Sequence, residues 1–301
     1  MPAHAGPRQA VVAGLVSTAI RDCVLGPPRG GRLMAVFPSA VYVELGGAVV
    51  AVVTHDGVRL PNAVVVPLRR SARPFSRVNG GVTAGGGVTV GGVTAGGGVT
   101  AGGGGIVLGG LRVRAVRYWN PRPLLPPVDP STLGGRLARL RETLAASPTR
   151  PGGPVPHQLA DACGKASLAA AACAADQLVG LGPGLTPSGD DLLAGTLAAL
   201  RLLGGDPAFT TALADHVSAA GDRRTTALSA TLLRLAGQGD VAAEVGQVIR
   251  ALNGQGSLDE AAGRLCAVGH TSGADLAQGL LIGGTAALGH LMKGAAGERA
   301  R

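Results

Sequence analysis

The stretch "NPRPLLPPVDP", residues 120–130, holds five prolines and separates two kinds of sequence pattern. Proline lacks a backbone N–H and fixes φ, so a run this dense extends neither a helix nor a central strand; it reads as a linker. On its N-terminal side the apolar residues come in short valine-rich runs bounded by turn residues, at 33–37, 41–45, 48–53, 63–66 and 111–118, and these predict strands. Gly46-Gly47, between the second run and the third, supplies the positive φ of a two-residue hairpin. In Leu111-Arg112-Val113-Arg114-Ala115 apolar and charged residues alternate, which gives one buried face and one wet, basic face. On the C-terminal side the period changes. Leu133, Leu137, Leu140 and Leu144 recur at helical spacing, and 159–179, 191–203, 225–236, 241–252, 258–268 and 274–292 predict further helices between Gly, Pro and Asp signals. The fold class that follows is α+β: a β-rich domain, barrel- or sandwich-like, over 1–128, then an all-helical domain over 129–301.

Composition narrows the possible functions. With 301 residues, 46% of them apolar, the chain can bury a sizeable core. Only six residues are aromatic, so that core is built from Val, Leu and Ala. Residues 1–150 carry 17 Arg against 5 acidic residues, whereas 151–301 carry 10 Lys plus Arg against 13 acidic ones. A basic half suits nucleic acid, an anionic substrate or an acidic partner equally. The lack of aromatic stacking platforms and of any recognised nucleic-acid motif argues against nucleic acid. Cys23, Cys163, Cys173 and Cys266 lie far apart without metal-ligand spacing, as free thiols in a reducing compartment do. The run 10–20 has no convincing cleavage site and reads as a short helix or strand. No later segment is long and apolar enough for a membrane span, and the expected location is cytoplasmic.

Between Gly81 and Gly103 the chain stutters through GVTAGG, GVTVG, GVTAGG and GVTAGG. These units offer too little apolar area to offset the ordering entropy of their glycines, which predicts a disordered insertion over about 79–105. Tandem glycines with no helix following do not make a phosphate loop.

The chemistry-bearing residues lie in the helical half. "GLGPGLTPSGDDLLAG" (180–195) leads into a helix, and Ser188 with Asp191 has the Ser-x-x-Asp form of a capping box. Capping does not account for Gly180, Gly182, Gly184 and Gly189; bare backbone at a helix N-terminus suits an anion. Asp190, beside such an anion, would hold a bridging cation or accept from a substrate amide. "GHTSGADLAQGL" (269–280) repeats the design, and both stretches contain Ser-Gly-x-Asp-Leu-x-x-Gly, at 188–195 and 272–279. Two readings are open: a pair of matching caps, or two helix starts side by side around one pocket, lined by Thr186, Ser188, Gly189, Thr271, Ser272 and Gly273. His270, just before the second start, is the candidate general acid or base. Arg223 and Arg224, ahead of Thr225, Thr226 and Ser229, would clamp a carboxylate or phosphate, or are simply solvated.

"GLTPSGDDLLAG" (184–195), "TTALSATLL" (225–233) and "GHTSGADLAQGL" (269–280), with a weaker echo in "GRLMAVFPSAVYVEL" (31–45), resemble the AllH-like family, named for a subunit of oxamate carbamoyltransferase of allantoin catabolism. Where Ala274 stands here the family carries an aromatic residue. The resemblance implies a subunit working with other carbamoyltransferase subunits, one of them FdrA-like, to interconvert oxalurate and phosphate with oxamate and carbamoyl phosphate. On that reading the Gly189 and Gly273 amides hold phosphate or carboxylate, and Asp190 and Asp275 orient the carbamoyl amide or a Mg²⁺. Asp190 and Asp191 are the ligand pair for a Mg²⁺, and Arg223 or Arg224 neutralises the leaving phosphate. Two alternatives stand beside it: a non-catalytic assembly subunit of an FdrA-type acyl-CoA synthetase-like complex, and an independent Mg²⁺-dependent phosphoryl- or acyl-transfer enzyme.

Overall fold

The structure is a computed structural model, described over residues 10–72, 75–78, 81–83, 99–145 and 154–299. The chain divides into two compact units, Met1–Pro121 and Arg122–Arg301.

The first unit is a closed eight-stranded barrel. Its strands are β1 (Ala10–Ser17), β2 (Arg29–Phe37), β3 (Ala40–Leu45), β4 (Ala48–Thr54), β5 (Ala63–Val66), β8 (Val99–Gly102), β9 (Gly105–Leu108) and β10 (Leu111–Trp119), in the order β1-β10-β9-β8-β2-β3-β4-β5. A short helix α1 (Arg21–Leu25) follows β1, and a separate pair, β6 (Ser76–Val78) and β7 (Gly81–Thr83), precedes β8. Most neighbours pair antiparallel, but β1 runs parallel to β10, and β4 parallel to β5. Val16, Val41, Val43, Val52, Val64, Ile106, Leu108 and Val113 fill the interior. Gly46 and Gly47 adopt positive φ and let β3 turn into β4 with Leu45 opposite Ala48. In β10 Leu111 and Val113 are buried while Arg112 and Arg114 are exposed, as their alternation predicts.

One expectation is met and one shifts here. Residues 10–17 form strand β1 and 18–20 a short 3-10 turn, within the helix-or-strand reading of that run. The repeat region is ordered at its C-terminal end: Val99 and Ala101 of β8 point into the barrel, β8 pairs with β2 and β9, and β9 already begins at Gly105. Residues 81–83 pair with 76–78, while 84–98 lie outside the described residues. Small Val and Ala side chains at alternate positions suffice once a barrel supplies neighbours on both edges.

The second unit holds nine helices among the described residues: α2 (Pro130–Ala145), α3 (Val155–Gly164), α4 (Leu168–Leu178), α5 (Ser188–Leu202), α6 (Pro207–Arg224), α7 (Ala227–Gln238), α8 (Ala243–Leu252), α9 (Leu258–Cys266) and α10 (Ser272–Arg299). The single helix predicted over 159–179 is two, broken at Lys165–Ser167 where Ala166 takes φ +52°. Helix α6 has no counterpart in the predicted helices, because its polar and apolar residues do not segregate to faces. Its start is nonetheless written in Asp206-Pro207: the Asp206 carboxylate accepts from Phe209 N at 2.8 Å, and proline occupies the first turn. The proline run divides at 121/122 rather than at 128/129. Leu125 and Val128 pack on the helical core, and Asn253 Nδ2 donates to Pro126 O at 3.0 Å.

Helix α5 is buried along nearly its whole length, with Leu192, Leu193, Leu197 and Leu200 all but inaccessible. It lies directly against α10, and that contact positions the candidate site.

Candidate functional site at the paired helix starts

The two Ser-Gly-x-Asp-Leu-x-x-Gly segments are one local structure built twice. In each, a helix ends, a short loop turns the chain, and a second helix starts against the end of the first. Leu181 N donates to Leu178 O at the end of α4, and Gly189 N donates back to Leu181 O. Val268 N donates to Leu265 O near the end of α9, and Gly273 N to Val268 O. Asp190 N and Asp191 N both donate to Pro187 O, as Ala274 N and Asp275 N both donate to Thr271 O. The serine is followed by glycine for a steric reason. A Cβ at Gly189 would stand 2.0 Å from Leu178 O, and one at Gly273 would stand 1.9 Å from Leu265 O. The second glycine of each motif has another duty. Helices α5 and α10 run in the same direction and cross backbone to backbone. A Cβ at Gly195 would meet Leu276 O at 2.2 Å, and one at Gly279 would meet Leu192 O at 2.1 Å. No side chain fits between helices this close.

Because the crossing lies two turns into each helix, both N-termini come together. Thr186 Oγ1 lies 3.1 Å from Ser272 Oγ, and Ser188 Oγ lies 3.4 Å from Thr271 Oγ1. Beneath these half-buried hydroxyls are Asp191 and Asp275, 6% and 4% exposed. Each acid draws on both starts: the Ser272 and Thr186 hydroxyls serve Asp191, and the Ser188 and Thr271 hydroxyls serve Asp275. Burial pushes the Asp191 carboxyl up to about 8; the neighbouring charges of Asp275 and Asp190 push the same way, and the hydroxyls pull it back. Burial also raises Asp275 above the usual carboxylate range, against the pull of Ser188 and Thr271. One oxygen of each acid, Oδ2, is buried with no hydrogen-bond partner.

The structure therefore joins Thr186, Ser188, Asp191, Thr271, Ser272 and Asp275. It gives the remaining candidates other work. Ser188 is not a helix cap: Pro187 occupies the cap position with no side-chain bond, Ser188 is already helical, and its hydroxyl reaches across to the second start. Asp191 accordingly does not close a capping box. Asp190 faces away from Asp191, as neighbours on a helix do. Its Oδ1 accepts from Gly180 N at 2.8 Å and its Oδ2 from the Thr225 hydroxyl, so the two adjacent aspartates do not converge on one ion. The Gly189 and Gly273 amides bond to Leu181 O and Val268 O. His270 is exposed in the loop before α10. Arg223 is exposed at the end of α6, and Arg224 bonds Asp176 through the carbonyl and the carboxylate, which also pairs with His216.

In the 225–233 stretch the threonines bond to the first start. Thr225 holds Asp190, while Thr226 caps α7 at Ser229 N and donates to Leu185 O at 2.6 Å. Both fix the loop of the first start. Gly180, at φ +75°, lies so close to the end of α6 that a Cβ would meet Arg224 O at 2.3 Å. Among the described residues no group of three or more His, Cys, Asp or Glu could hold a metal ion, and no helix is long and apolar enough to cross a membrane.

Residues 178–284 match the family model described as oxamate carbamoyltransferase subunit AllH. That segment is similar to the AllH family. The matched segment begins at the last residue of α4 and ends within α10, so it takes in both helix starts, their crossing and the threonines that brace the first loop. No solved structure matches the chain. The family's description as a subunit implies other carbamoyltransferase subunits as partners of its members.

Proposed function

We propose that the protein is a subunit of a carbamoyltransferase that interconverts oxalurate and phosphate with oxamate and carbamoyl phosphate, acting with an FdrA-like partner, and that the paired helix starts are its substrate contact. The observation that carries this reading is the meeting of four hydroxyls, Thr186, Ser188, Thr271 and Ser272, from two segments 83 to 86 residues apart, inside the AllH-matched span. Hydroxyls both donate and accept. At the positive ends of two parallel helices they suit the phosphate or carboxylate oxygens and the amide protons that these substrates present. In the transfer the oxamate nitrogen bonds to the carbamoyl carbon and gives up one proton, the carbon–oxygen bond to phosphate breaks, and phosphate leaves with that electron pair and takes up the proton. The chain's part is to orient the two anions and to keep water from the carbamoyl carbon.

A second reading, a non-catalytic assembly subunit, is favoured by one observation: Gly189, Gly273, Asp190, Gly195 and Gly279 all have structural duties that would preserve the motifs without any chemistry. One experiment separates the two. The chain is copurified with its partner subunits and assayed for phosphate-dependent release of oxamate from oxalurate. With the S188A/S272A variant, turnover that falls at least about tenfold in an intact complex supports the substrate contact. Full turnover assigns the chemistry to the partners.

A further inference from the structure

The paired starts contain an imbalance that substrate hydroxyls do not remove. Two helix N-termini contribute roughly half a positive charge each, while Asp191 and Asp275 bring two carboxyl groups into the same buried space. When both are ionised the sum is negative by about one charge. Each acid is served by one hydroxyl of its own start and one of the opposite start, and one oxygen of each, Oδ2, is buried without a partner. Buried anionic oxygens left this way are costly unless something positive meets them: a retained proton in the ion-free chain, or a cation that displaces it. Asp190 cannot share the load, since both its oxygens are engaged elsewhere.

We propose that Asp191 and Asp275, with the hydroxyls of Ser188 and Ser272, hold one divalent cation of the Mg²⁺ class. The donors are all hard oxygens, two of them carboxylates from different helices, and a hard cation that retains part of its water shell takes such a set. This differs from a Mg²⁺ site at Asp190 and Asp191, whose carboxyl groups diverge. On the carbamoyltransferase reading, to which this inference adds, the cation would meet the phosphate of the second substrate, so a dication and the hydroxyl ring would share one anion.

The test needs only the full-length chain. Mn²⁺ is titrated and the free ion followed by electron paramagnetic resonance, with Mg²⁺ as competitor. One Mn²⁺ per chain is expected, lost in D191N and in D275N and weakened roughly tenfold in S188A/S272A. Asp161→Asn, at an exposed acid on α3, should leave binding unchanged. Circular dichroism establishes that each variant is folded, and asparagine, matching aspartate in shape, removes charge without adding bulk. Failure of the wild-type chain to bind Mn²⁺, or binding that survives D275N, overturns the inference. Should Mn²⁺ bind as described while the copurified complex shows no carbamoyl transfer, the cation site stands and the transferase reading falls. Transfer in a complex whose chain binds no Mn²⁺ removes the cation site and leaves the transferase reading standing.

Discussion

The two helix starts, at 180–195 and at 269–279, share their serine, their two glycines, their acid and their backbone bonds, yet they differ at one position between serine and acid. The first has Asp190 there and the second has Ala274. Asp190 ties the loop before α5 to the junction of α6 and α7 through Gly180 and Thr225. Ala274 makes no such tie. It lines a cavity of about 320 Å³ with Gln278, Arg141 and His157, floored by Leu144, Ile282 and Leu281. The repeat thus keeps whatever the crossing requires in both copies. It frees the intervening position to become a brace in one and part of a cavity wall in the other.

The crossing itself should give the largest effect. Gly195→Ala and Gly279→Ala each force a Cβ into a backbone oxygen of the other helix, and each should cost about 3 kcal/mol or more in urea unfolding. If the starts are true equivalents the two losses will be similar; a sharply smaller loss at either would break the comparison. The braced copy comes next. Asp190→Ala leaves a buried amide and a hydroxyl unpaired and should cost about 2 kcal/mol, whereas Ala274→Ser, with a cavity beside it, should stay within about 0.5 kcal/mol.

The shared acids predict a pH dependence. The folded value of Asp191, about 8, lies above its unfolded one. The native chain therefore keeps a proton that the unfolded chain releases from about pH 4 upward. Stability should fall as pH rises from about 4 to about 8, by up to about 1.4 kcal/mol per unit, and level off above. Melting of the chain in chelator across that window should show this slope, and D191N should flatten it to what Asp275, also raised by burial, contributes. A slope unchanged in D191N would deny that the acid is buried as described. A smaller loss than that of Asp190→Ala belongs to the brace again: Thr226→Ala removes the cap of α7 and the bond to Leu185 O and should cost about 1 kcal/mol, with no counterpart at the second start.

Much of this is legible in the chain. The change of period at residues 120–130 divides strands from helices, and the matched Ser-Gly-x-Asp-Leu-x-x-Gly segments raise two helix starts lying together as one of two readings. What the matched letters do not reveal is direction. Ser188 looks like a cap because capping is the commonest work of a serine before an acid. Its actual partners, Thr271 and Asp275, belong to a segment more than 80 residues away. Likewise Gly189 and Gly273 resemble an open cradle, and only the approach of Leu178 O and Leu265 O reveals a steric need instead. In the first unit β8 hides among glycine and threonine, since its buried Val99 and Ala101 carry too little apolar area to stand out from a repeat. The brace at Asp190 reads as chemistry in the bare sequence because its two partners, Gly180 and Thr225, are set by the tertiary fold.

The barrel closes by laying its first strand beside its last: β1 pairs with β5 on one edge and, in parallel, with β10 on the other. During synthesis, then, the seam cannot form until residues up to Trp119 have left the ribosome. Until that moment Val12 and Val16 of the opening strand must wait unpaired on that side. The order of emergence thus makes the barrel a late, all-at-once event with high contact order. Slow translation through the glycine-rich repeat would lengthen the interval in which that opening strand is exposed to chaperones or to neighbouring nascent chains.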